Sequence, residues 1–289
     1  MTRGVLAVDL GGTKAAAAVV DRDGMAGARR RAPAPRTLAD TVEWIAAGVS
    51  GAAAVGVIVP GIYVPSTGRA WCPNLWGRDE VPLRDALADR LTVPVTIDSD
   101  RAGYVLGEAW LGAARGCRDA LFVAIGTGIG VGILAEGRVL RGAHGVAGAA
   151  GWFALTGQWR EDYAAMGCWE AESAGPALAR APRLPDAAAV VRAARDGRPD
   201  ALAAVDRAAR VTARGIANLV SAFDPDVVVL GGGLGEGAAD LLLPVIEAEA
   251  RRWAQPIAMA RCRIVRSQLG DGAGLLGAAR LAWEAVDRA

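Results

Sequence analysis

The stretch Asp9-Leu10-Gly11-Gly12-Thr13-Lys14 lies between two apolar segments, residues 5–8 and 15–20. This pattern predicts a β-hairpin with a glycine turn. The same plan recurs at 125–130, where the sequence Ile-Gly-Thr-Gly-Ile-Gly also joins two apolar segments. Consecutive glycines leave backbone N–H groups uncovered by side chains, so an anion can approach them closely. Two such turns in matching contexts indicate a duplicated domain whose loops hold one phosphate chain. The alternative is that both turns are glycine-rich for conformational reasons only.

Two common phosphate-binding motifs do not describe these turns. No stretch of the chain supplies the Walker sequence G-x-x-x-x-G-K-[ST]. The sequence GTGIGVG at 126–132 resembles a dinucleotide-binding fingerprint only superficially. That fingerprint must open a helix, whereas here the alternating apolar residues continue as a second strand.

The composition is typical of a globular protein. The chain has 289 residues, 53% of them hydrophobic and 22% charged, which is enough for two domains of ordinary size. Its net charge of +1 gives no reason to expect a nucleic-acid groove or an anionic membrane surface. The first residues run into a strand without a signal peptide, and no apolar run approaches the roughly 20 residues of a membrane helix. We therefore expect a cytoplasmic protein with neither nucleic acid nor membrane as a partner.

Strands and helices alternate along both halves of the chain, which predicts an α/β protein with mostly parallel sheets. The pattern predicts helices at 38–49, 83–91, 102–111 and, as one long helical region, 187–223, and strands at 54–59, 93–97 and 227–230. No low-complexity linker separates the halves, so the boundary near 109–118 is expected to be a hinge. The predicted lobes are 1–112 and 113–274, with a C-terminal helix at about 275–289 packing back on the first lobe.

Further motifs, in the same order and over nearly the whole chain, resemble the ROK family of sugar kinases and regulators. They are VPG at 59–61, LGEAWLGAARG at 106–116, GCWEAESAG at 167–175, DPDVVVLGGG at 224–233 and LGDGAGLLGAA at 269–279. The resemblance implies a two-lobed actin-like (ribonuclease H-like) fold. Each lobe would be a βββαβαβα domain, with ATP, Mg²⁺ and a sugar-like acceptor in the interlobe cleft. ROK repressors carry an N-terminal helix-turn-helix, which is not expected here, and a homodimer is expected because dimers are usual for the family.

Phosphoryl transfer to an alcohol needs a base for the hydroxyl, and here a carboxylate is the natural candidate. The one histidine, His144, lies in a glycine-rich loop. Asp100 follows a predicted strand at its carboxyl end, where α/β sheets place ligand sites, and it matches the catalytic aspartate of the ROK family. The alternative is that Asp100 only caps the helix predicted at 102–111.

The resemblance also implies where ATP and its metal bind. Asp9 would hold Mg²⁺ through water, unless it is only a turn residue at the end of its strand. The predicted phosphate- and nucleoside-binding residues are Gly11, Gly12, Thr13, Lys14, Gly126, Thr127, Gly128, Gly231, Gly232 and Gly233. Lys14 is the one lysine of the chain; it either places an ammonium beside the phosphates or is exposed by chance. The three consecutive glycines at 231–233 are otherwise a strand-to-helix turn.

Several positions depart from the family's pattern. Ser99 stands where an asparagine precedes the catalytic aspartate, and Gly148-Ala149-Ala150-Gly151-Trp152 stands where the family has G-E-I-G-H. The glutamate and histidine of that segment, which bind sugar hydroxyls, are therefore missing. The histidine is also a zinc ligand in the family, and of the other ligands only Cys168 remains. One thiol cannot hold tetrahedral Zn²⁺, so no zinc is expected.

The predicted acceptor site combines the backbone at Gly61 with Ser99, Asp100, Trp152 and Glu170, the last of which matches the family's second sugar-binding carboxylate. Each hydrogen bond lost from an ionised group costs about 1.5–3 kcal/mol, which disfavours an ordinary glucokinase.

The sequence therefore predicts an ATP-dependent kinase acting on a primary hydroxyl of a non-glucose hexose, an amino sugar such as kanosamine, or a C7-cyclitol. A catalytically inactive ROK-fold sugar-binding or regulatory protein is the alternative. Trp152 either stacks on the acceptor or forms a hydrophobic plug with Trp159 and Trp169 in place of the zinc subdomain.

Overall fold

The computed structural model describes residues 4–288, so residues 1–3 of the predicted first lobe and residue 289 of the predicted C-terminal helix lie outside it. The strands are β1 (Val5–Leu10), β2 (Lys14–Val20), β3 (Arg30–Pro33), β4 (Val55–Val59), β5 (Ile62–Val64), β6 (Arg69–Trp71), β7 (Val95–Ser99), β8 (Ala120–Ile125), β9 (Ile129–Ala135), β10 (Arg138–Val139), β11 (Val227–Gly231) and β12 (Arg263–Arg266).

The helices follow the same alternation. They are α1 (Leu38–Ala46), α2 (Pro73–Trp76), α3 (Leu83–Arg90), α4 (Asp100–Leu111), α5 (Tyr163–Met166), α6 (Cys168–Ser173), α7 (Gly175–Arg180), α8 (Ala187–Arg195), α9 (Pro199–Phe223), α10 (Gly232–Gly237), α11 (Ala239–Trp253), α12 (Pro256–Arg261) and α13 (Ala273–Arg288). No helix within residues 4–288 is both long enough and apolar enough to span a bilayer.

The two main sheets share one strand plan. The first has the order β3-β2-β1-β4-β7 and the second the order β10-β9-β8-β11-β12, while β5 and β6 form a small separate sheet. In both main sheets the first three strands run antiparallel and the last two join in parallel. The two glycine hairpins predicted from the sequence are β1–β2 and β8–β9.

The described chain divides into two compact units. The first contains the described residues up to Arg115, the loop Arg141–Ala147 and the described residues from Asp271 onward. The second contains Gly116–Leu140 and Gly148–Gly270. Each unit holds one of the five-stranded sheets.

In the first unit, helices cover a sheet whose central strands are buried on both faces. Four of the five residues of the VGVIV strand β4 are apolar, and all five are buried, as expected for a parallel strand between two layers. The helices α4 and α13 pack against each other, and α13 lies along β1 and β4. Side chains of α1 and α3, among them Ile45 and Leu87, join the sheet residues in one apolar cluster.

In the second unit, the core forms around α9 and the helices α8 and α11 that pack on it. The long helical region predicted at 187–223 is in fact two helices, because Pro199 lacks a backbone N–H and begins a new helix at its first turn. The helix α9 ends at Asp224, which adopts a left-handed conformation with φ 45° before β11 begins.

Candidate active site

Asp100 lies at the junction where β7 passes into α4. The N-cap of α4 is Ser99, whose Oγ accepts a hydrogen bond from the backbone N–H of Ala102 at 3.4 Å. The alternative interpretation of Asp100 as the capping residue is therefore wrong. Asp100 is the first helical residue, and its Oδ1 accepts from the N–H of Arg101 at 2.8 Å.

The surroundings of Asp100 raise its pKa. Loss of water on burial raises the pKa from an ordinary 3.8 to about 6, against the charge of Arg101 and the backbone N–H bonds, which lower it. A general base works best when its pKa is near the working pH, because it then combines basicity with a large ionised fraction. Asp100 at neutral pH meets this condition.

Asp9 lies near the end of β1, and its Oδ2 rests against the backbone of Gly274 at the start of α13. The pKa of Asp9 is raised to about 7, mainly by burial and further by the charges of Asp100 and Asp271, against the charge of Arg29, which lowers it. A carboxylate whose negative charge is opposed by other carboxylates is suited to a cation. Among residues 4–288, no three His, Cys, Asp or Glu side chains cluster, so a Mg²⁺ ion at Asp9 would take its other ligands from water and phosphate oxygens.

The first glycine turn follows Asp9 directly. The N–H of Gly11 donates to the carbonyl of Lys14 at 2.9 Å, which closes the turn. Gly12 is half-buried, whereas the side chains of Thr13 and Lys14 are exposed. The structure thus brings the first unit's predicted phosphate residues together beside Asp9.

An ion pair between buried Asp98 and partly exposed Arg141 lies next to Asp100 and was not predicted from the sequence. The carboxylate of Asp98 accepts from Nε and Nη2 of Arg141 at 2.7 and 2.6 Å, and its other oxygen accepts from the N–H of Ser99 at 2.8 Å. The side chain of Arg101 donates to the carbonyl of Gly145 at 3.3 Å. Two arginines therefore hold the loop Arg141–Ala147 against the junction that carries Asp100. Gly61, predicted to line the acceptor site, packs against the backbone of Trp71 and the thiol of Cys72.

In the second unit, Glu170 supports the other glycine turn. The N–H of Gly126 donates to the carbonyl of Gly128 at 3.0 Å, and Oε2 of Glu170 accepts from the N–H of Ile129 at 2.8 Å. Burial raises the pKa of Glu170, and the bond from Ile129 opposes that shift. Thr127 is exposed at the tip of the turn.

The three glycines that follow β11 lie beside this turn. Gly232 has φ +79°, and a Cβ there would lie 2.6 Å from the carbonyl oxygen of Ile125, so only glycine fits. A Cβ on Gly126 would lie 3.9 Å from the backbone nitrogen of Gly233. Gly233 itself is exposed, and its own Cβ would meet no heavy atom within 4 Å. The second unit therefore brings its two predicted ATP-binding segments together as bare backbone.

The hydrophobic plug predicted as one alternative would contain Trp152, Trp159 and Trp169, and these three side chains differ in burial. Trp169 is fully buried, packed against Phe153 at a centroid distance of 6.0 Å and against Gly215 of α9. Trp152 and Trp159 are 56% and 69% exposed, so the plug interpretation is wrong for these two. The thiol of Cys168 accepts from the N–H of Leu155 at 3.4 Å, and the expected absence of zinc stays a prediction.

The family model described as the ROK family matches residues 5–285. A glucokinase of Streptomyces coelicolor is 33% identical over 96% of this chain and 97% of its own length. An N-acetyl-D-glucosamine kinase of Pectobacterium atrosepticum is 32% identical over 94% and 97% of the two chains. Among solved structures, a ROK family glucokinase from Streptomyces griseus in complex with glucose and AMPPNP is 31% identical, with a TM-score of 0.79 over 97% and 99% of the two chains.

These comparisons confirm the resemblance inferred from the motifs. The shared strand plan of the two sheets is that of the two-lobed actin-like fold, which the solved relative also has. The similarity extends over the glycine turns, the Asp100 junction and the loop after β11. The chain belongs to the ROK family.

Proposed function

We propose that this chain, an ATP-dependent carbohydrate kinase, transfers the γ-phosphoryl group of ATP to a primary hydroxyl of a sugar-like acceptor other than plain glucose. The observation that carries the proposal is the position of Asp100. Its carboxylate lies at a strand-to-helix junction whose N-cap residue is Ser99, and burial raises its pKa to about 6.

In the proposed reaction, Asp100 accepts the proton of the acceptor hydroxyl as the hydroxyl oxygen bonds to the γ-phosphorus. The bond from that phosphorus to the bridging oxygen of ADP breaks, and ADP leaves with the electron pair. Asp9 would hold Mg²⁺ through water, and the ion would offset the charge of the β- and γ-phosphates. The N–H group of Gly12 and the hydroxyl of Thr13 would donate to phosphate oxygens, while Gly11, whose N–H closes the turn, would line the site as bare backbone.

The second unit would bind the rest of the nucleotide. The turn formed by Gly126, Thr127 and Gly128 offers uncovered backbone to the phosphates, and the loop 231–233 offers a flat backbone surface to the nucleoside. Lys14, exposed at the start of β2, would add one compact positive charge.

The acceptor proposal rests on the wall formed by Ala149 and Trp152. This wall offers no charged hydrogen-bonding side chain, whereas Glu170 offers a carboxylate that could pair with an amine. A non-glucose hexose, an amino sugar such as kanosamine and a C7-cyclitol all fit this combination. Because curated relatives are glucokinases and an N-acetylglucosamine kinase, glucose and N-acetylglucosamine are the acceptors that a test must include.

One observation favours the alternative of an inactive sugar-binding protein. The side chain of Ser99, which replaces the asparagine of the family, caps α4 through Ala102 and so is engaged within the protein. Under either function, the proposal includes a cytoplasmic homodimer that binds small molecules and no nucleic acid.

The test is ADP release from ATP and Mg²⁺ with a panel of hexoses, amino sugars and cyclitols. We expect Asp100→Asn to lower kcat by about 10²–10⁴ for the best acceptor while ATP binding persists, since general-base catalysis contributes that much. Asp85→Asn is the matched control, because Asp85 is an exposed aspartate of α3 in the same unit.

Full activity of Asp100→Asn would refute the assigned base. Preference for glucose or N-acetylglucosamine at low concentration would refute the acceptor. No ADP release with any acceptor of the panel, while ATP still binds, would support the sugar-binding alternative.

A further inference from the structure

The second unit contains a cavity that neither the phosphate turns nor Glu170 uses. It has a volume of about 260 Å³, and its lining includes Trp152, Thr156, Gln158, Trp159, Tyr163 and Cys168, which together define the tryptophan pocket. We propose that the tryptophan pocket binds the second pyranose ring of a two-ring acceptor, such as a disaccharide. The inference rests on the proposed function, because it places this ring next to the sugar that is phosphorylated.

Two aromatic side chains of the pocket, Trp152 and Trp159, are exposed, and a third, Tyr163, is buried. Trp159 meets the ring of Tyr163 edge-on, at a centroid distance of 5.9 Å and an interplanar angle of 88°. Tyr163 is buried, and its hydroxyl donates to Glu172 at 2.7 Å. The guanidinium of Arg160 lies 4.8 Å from the centre of the same ring. An indole that packs against a neighbouring ring and remains open to solvent is suited to stacking on the apolar face of a sugar ring.

The polar groups of the pocket favour a neutral ligand. The described residues that line it include no charged side chain, which disfavours a phosphate or an ammonium group as the ligand. Gln158 supplies a side-chain amide that can pair with sugar hydroxyls, and the Thr156 hydroxyl, which donates to the carbonyl of Gln158 at 3.1 Å, can still accept from them. The volume lies just below the about 300–1,000 Å³ of sites for drug-sized ligands, so it suits one ring of a larger molecule.

The tryptophan pocket and Glu170 border the same short segment of the second unit, residues 151–152. Gly167, with φ +84°, packs so closely on the segment 151–152 that a Cβ there would lie 2.4 Å from the carbonyl oxygen of Gly151 and 2.7 Å from Cα of Trp152. On the same segment, a Cβ on Gly151 would lie 3.1 Å from Oε2 of Glu170. One short stretch of chain therefore borders both Glu170 and the pocket, and a ligand that extends past Trp152 would enter the pocket.

Calorimetric titration of the full chain without ATP tests this proposal. The probes are maltose, cellobiose and lactose, each compared with glucose and galactose. We expect at least one disaccharide to bind about tenfold more tightly than its component monosaccharides, since a stacked ring contributes on the order of 1 kcal/mol. Trp159→Ala should abolish that ratio, and Trp159→Phe should retain part of it. Trp253→Ala is the matched control, because Trp253 is exposed at the end of α11 in the same unit, outside the pocket.

The proposal is overturned if no disaccharide is preferred, or if Trp159→Ala leaves the preference intact. It is also overturned if sedimentation shows that Trp159→Ala turns a dimer into a monomer without changing the ratio, because the pocket is then a contact between two copies. The two proposals can fail separately. Preferential binding of a disaccharide without ADP release would support the role of the tryptophan pocket and refute the kinase reaction. Asp100-dependent ADP release without that preference would support the kinase reaction and refute the role of the pocket.

Discussion

The two main sheets have the same strand order, yet their glycine turns differ in charge. The last paired residues before each turn are Leu10 with Ala15 in one sheet and Ile125 with Ile129 in the other. One residue earlier, the first sheet has Asp9 and the second has Ala124. The duplicated backbone therefore supplies two similar turns. The strand before the first turn carries a carboxylate, whereas the carboxylate beside the second turn, Glu170, comes from α6.

The outer parallel strands of the two sheets show the same contrast. In the first sheet β7 leads into α4 through Ser99, and Asp100 opens the helix. In the second, β12 ends at Arg266, and the following Ser267 accepts through its Oγ from the N–H of Gly270 at 2.9 Å. The first unit thus presents ionisable groups and the second mainly presents bare backbone. Four predictions test this division.

Among these variants, the largest effect is expected at Asp9. Asp9→Asn should lower kcat/KM about 10- to 100-fold, as is typical when a group that holds a metal through its outer shell is lost. Steady-state kinetics over a range of Mg²⁺ concentrations measures the loss, which should shrink at high Mg²⁺. Asp79→Asn, an equal change of charge at an exposed site of the same unit, should leave the rate unchanged.

The same variant should be more stable than the parent protein above pH 7. The folded state holds the pKa of Asp9 near 7, above its ordinary 3.8, so between these values it binds more protons than the unfolded state. Stability attributable to Asp9 therefore falls as pH rises from about 4 to about 7, by an amount on the order of a few kcal/mol. Thermal melts at pH 5 and pH 8 measure the difference. A variant equally destabilised at both values would show that Asp9 is only structural.

A smaller effect is expected in the bare backbone of the second unit. Gly233→Ala should raise KM for ATP about tenfold, a loss near 1.4 kcal/mol, because a methyl group would enter the surface proposed for the nucleoside. It should also raise Tm, since alanine stabilises a helix relative to glycine by up to about 1 kcal/mol. Gly237→Ala, in the same helix and equally free of neighbours, should raise Tm alone. If the KM for ATP is unchanged in both Gly233→Ala and Gly237→Ala, the nucleoside does not bind at the surface formed by residues 231–233.

The smallest effect concerns Arg101. Its charge lowers the pKa of Asp100, so Arg101→Met should move the acid limb of the kcat/KM profile, expected near pH 6, to higher pH. The loss of rate should be a few-fold near pH 6 and vanish at pH 8, where Asp100 is ionised in both proteins. Arg78→Met, at an exposed site of the same unit, should leave the profile in place. A loss of rate that is uniform across pH would instead indicate that Arg101 only positions the loop it contacts.

The features predicted from the sequence are those that short stretches of chain determine. The glycine hairpins and the strand before Asp100 have apolar patterns that can be interpreted without knowledge of distant residues. The break before Pro199 was equally local and could have been predicted from the proline. The pair of Asp98 with Arg141 could not, since the two residues are 43 positions apart and neither type of side chain identifies its partner.

The tryptophans also show that sequence patterns do not identify contacts between distant parts of the chain. Trp169 and Trp152 lie in neighbouring parts of the predicted acceptor segments, yet one is fully buried and the other exposed. The burial of Trp169 depends on α9, which comes later in the chain and offers Gly215 to the indole. The sequence indicated that tryptophans are concentrated in the acceptor segments. Only the three-dimensional packing distinguishes Trp169, which belongs to the core, from Trp152 and Trp159, which line the pocket.

The position of α13 has a consequence for protein synthesis. This helix rests against Asp9 and lies along β1 and β4, but it follows the whole of the second unit in the chain. During synthesis, the second unit can therefore complete its core before α13, the helix that covers the first sheet, has been synthesised. The carboxylate of Asp9 therefore reaches its final electrostatic environment only after α13 has been synthesised, although Asp9 itself is synthesised among the first residues of the unit.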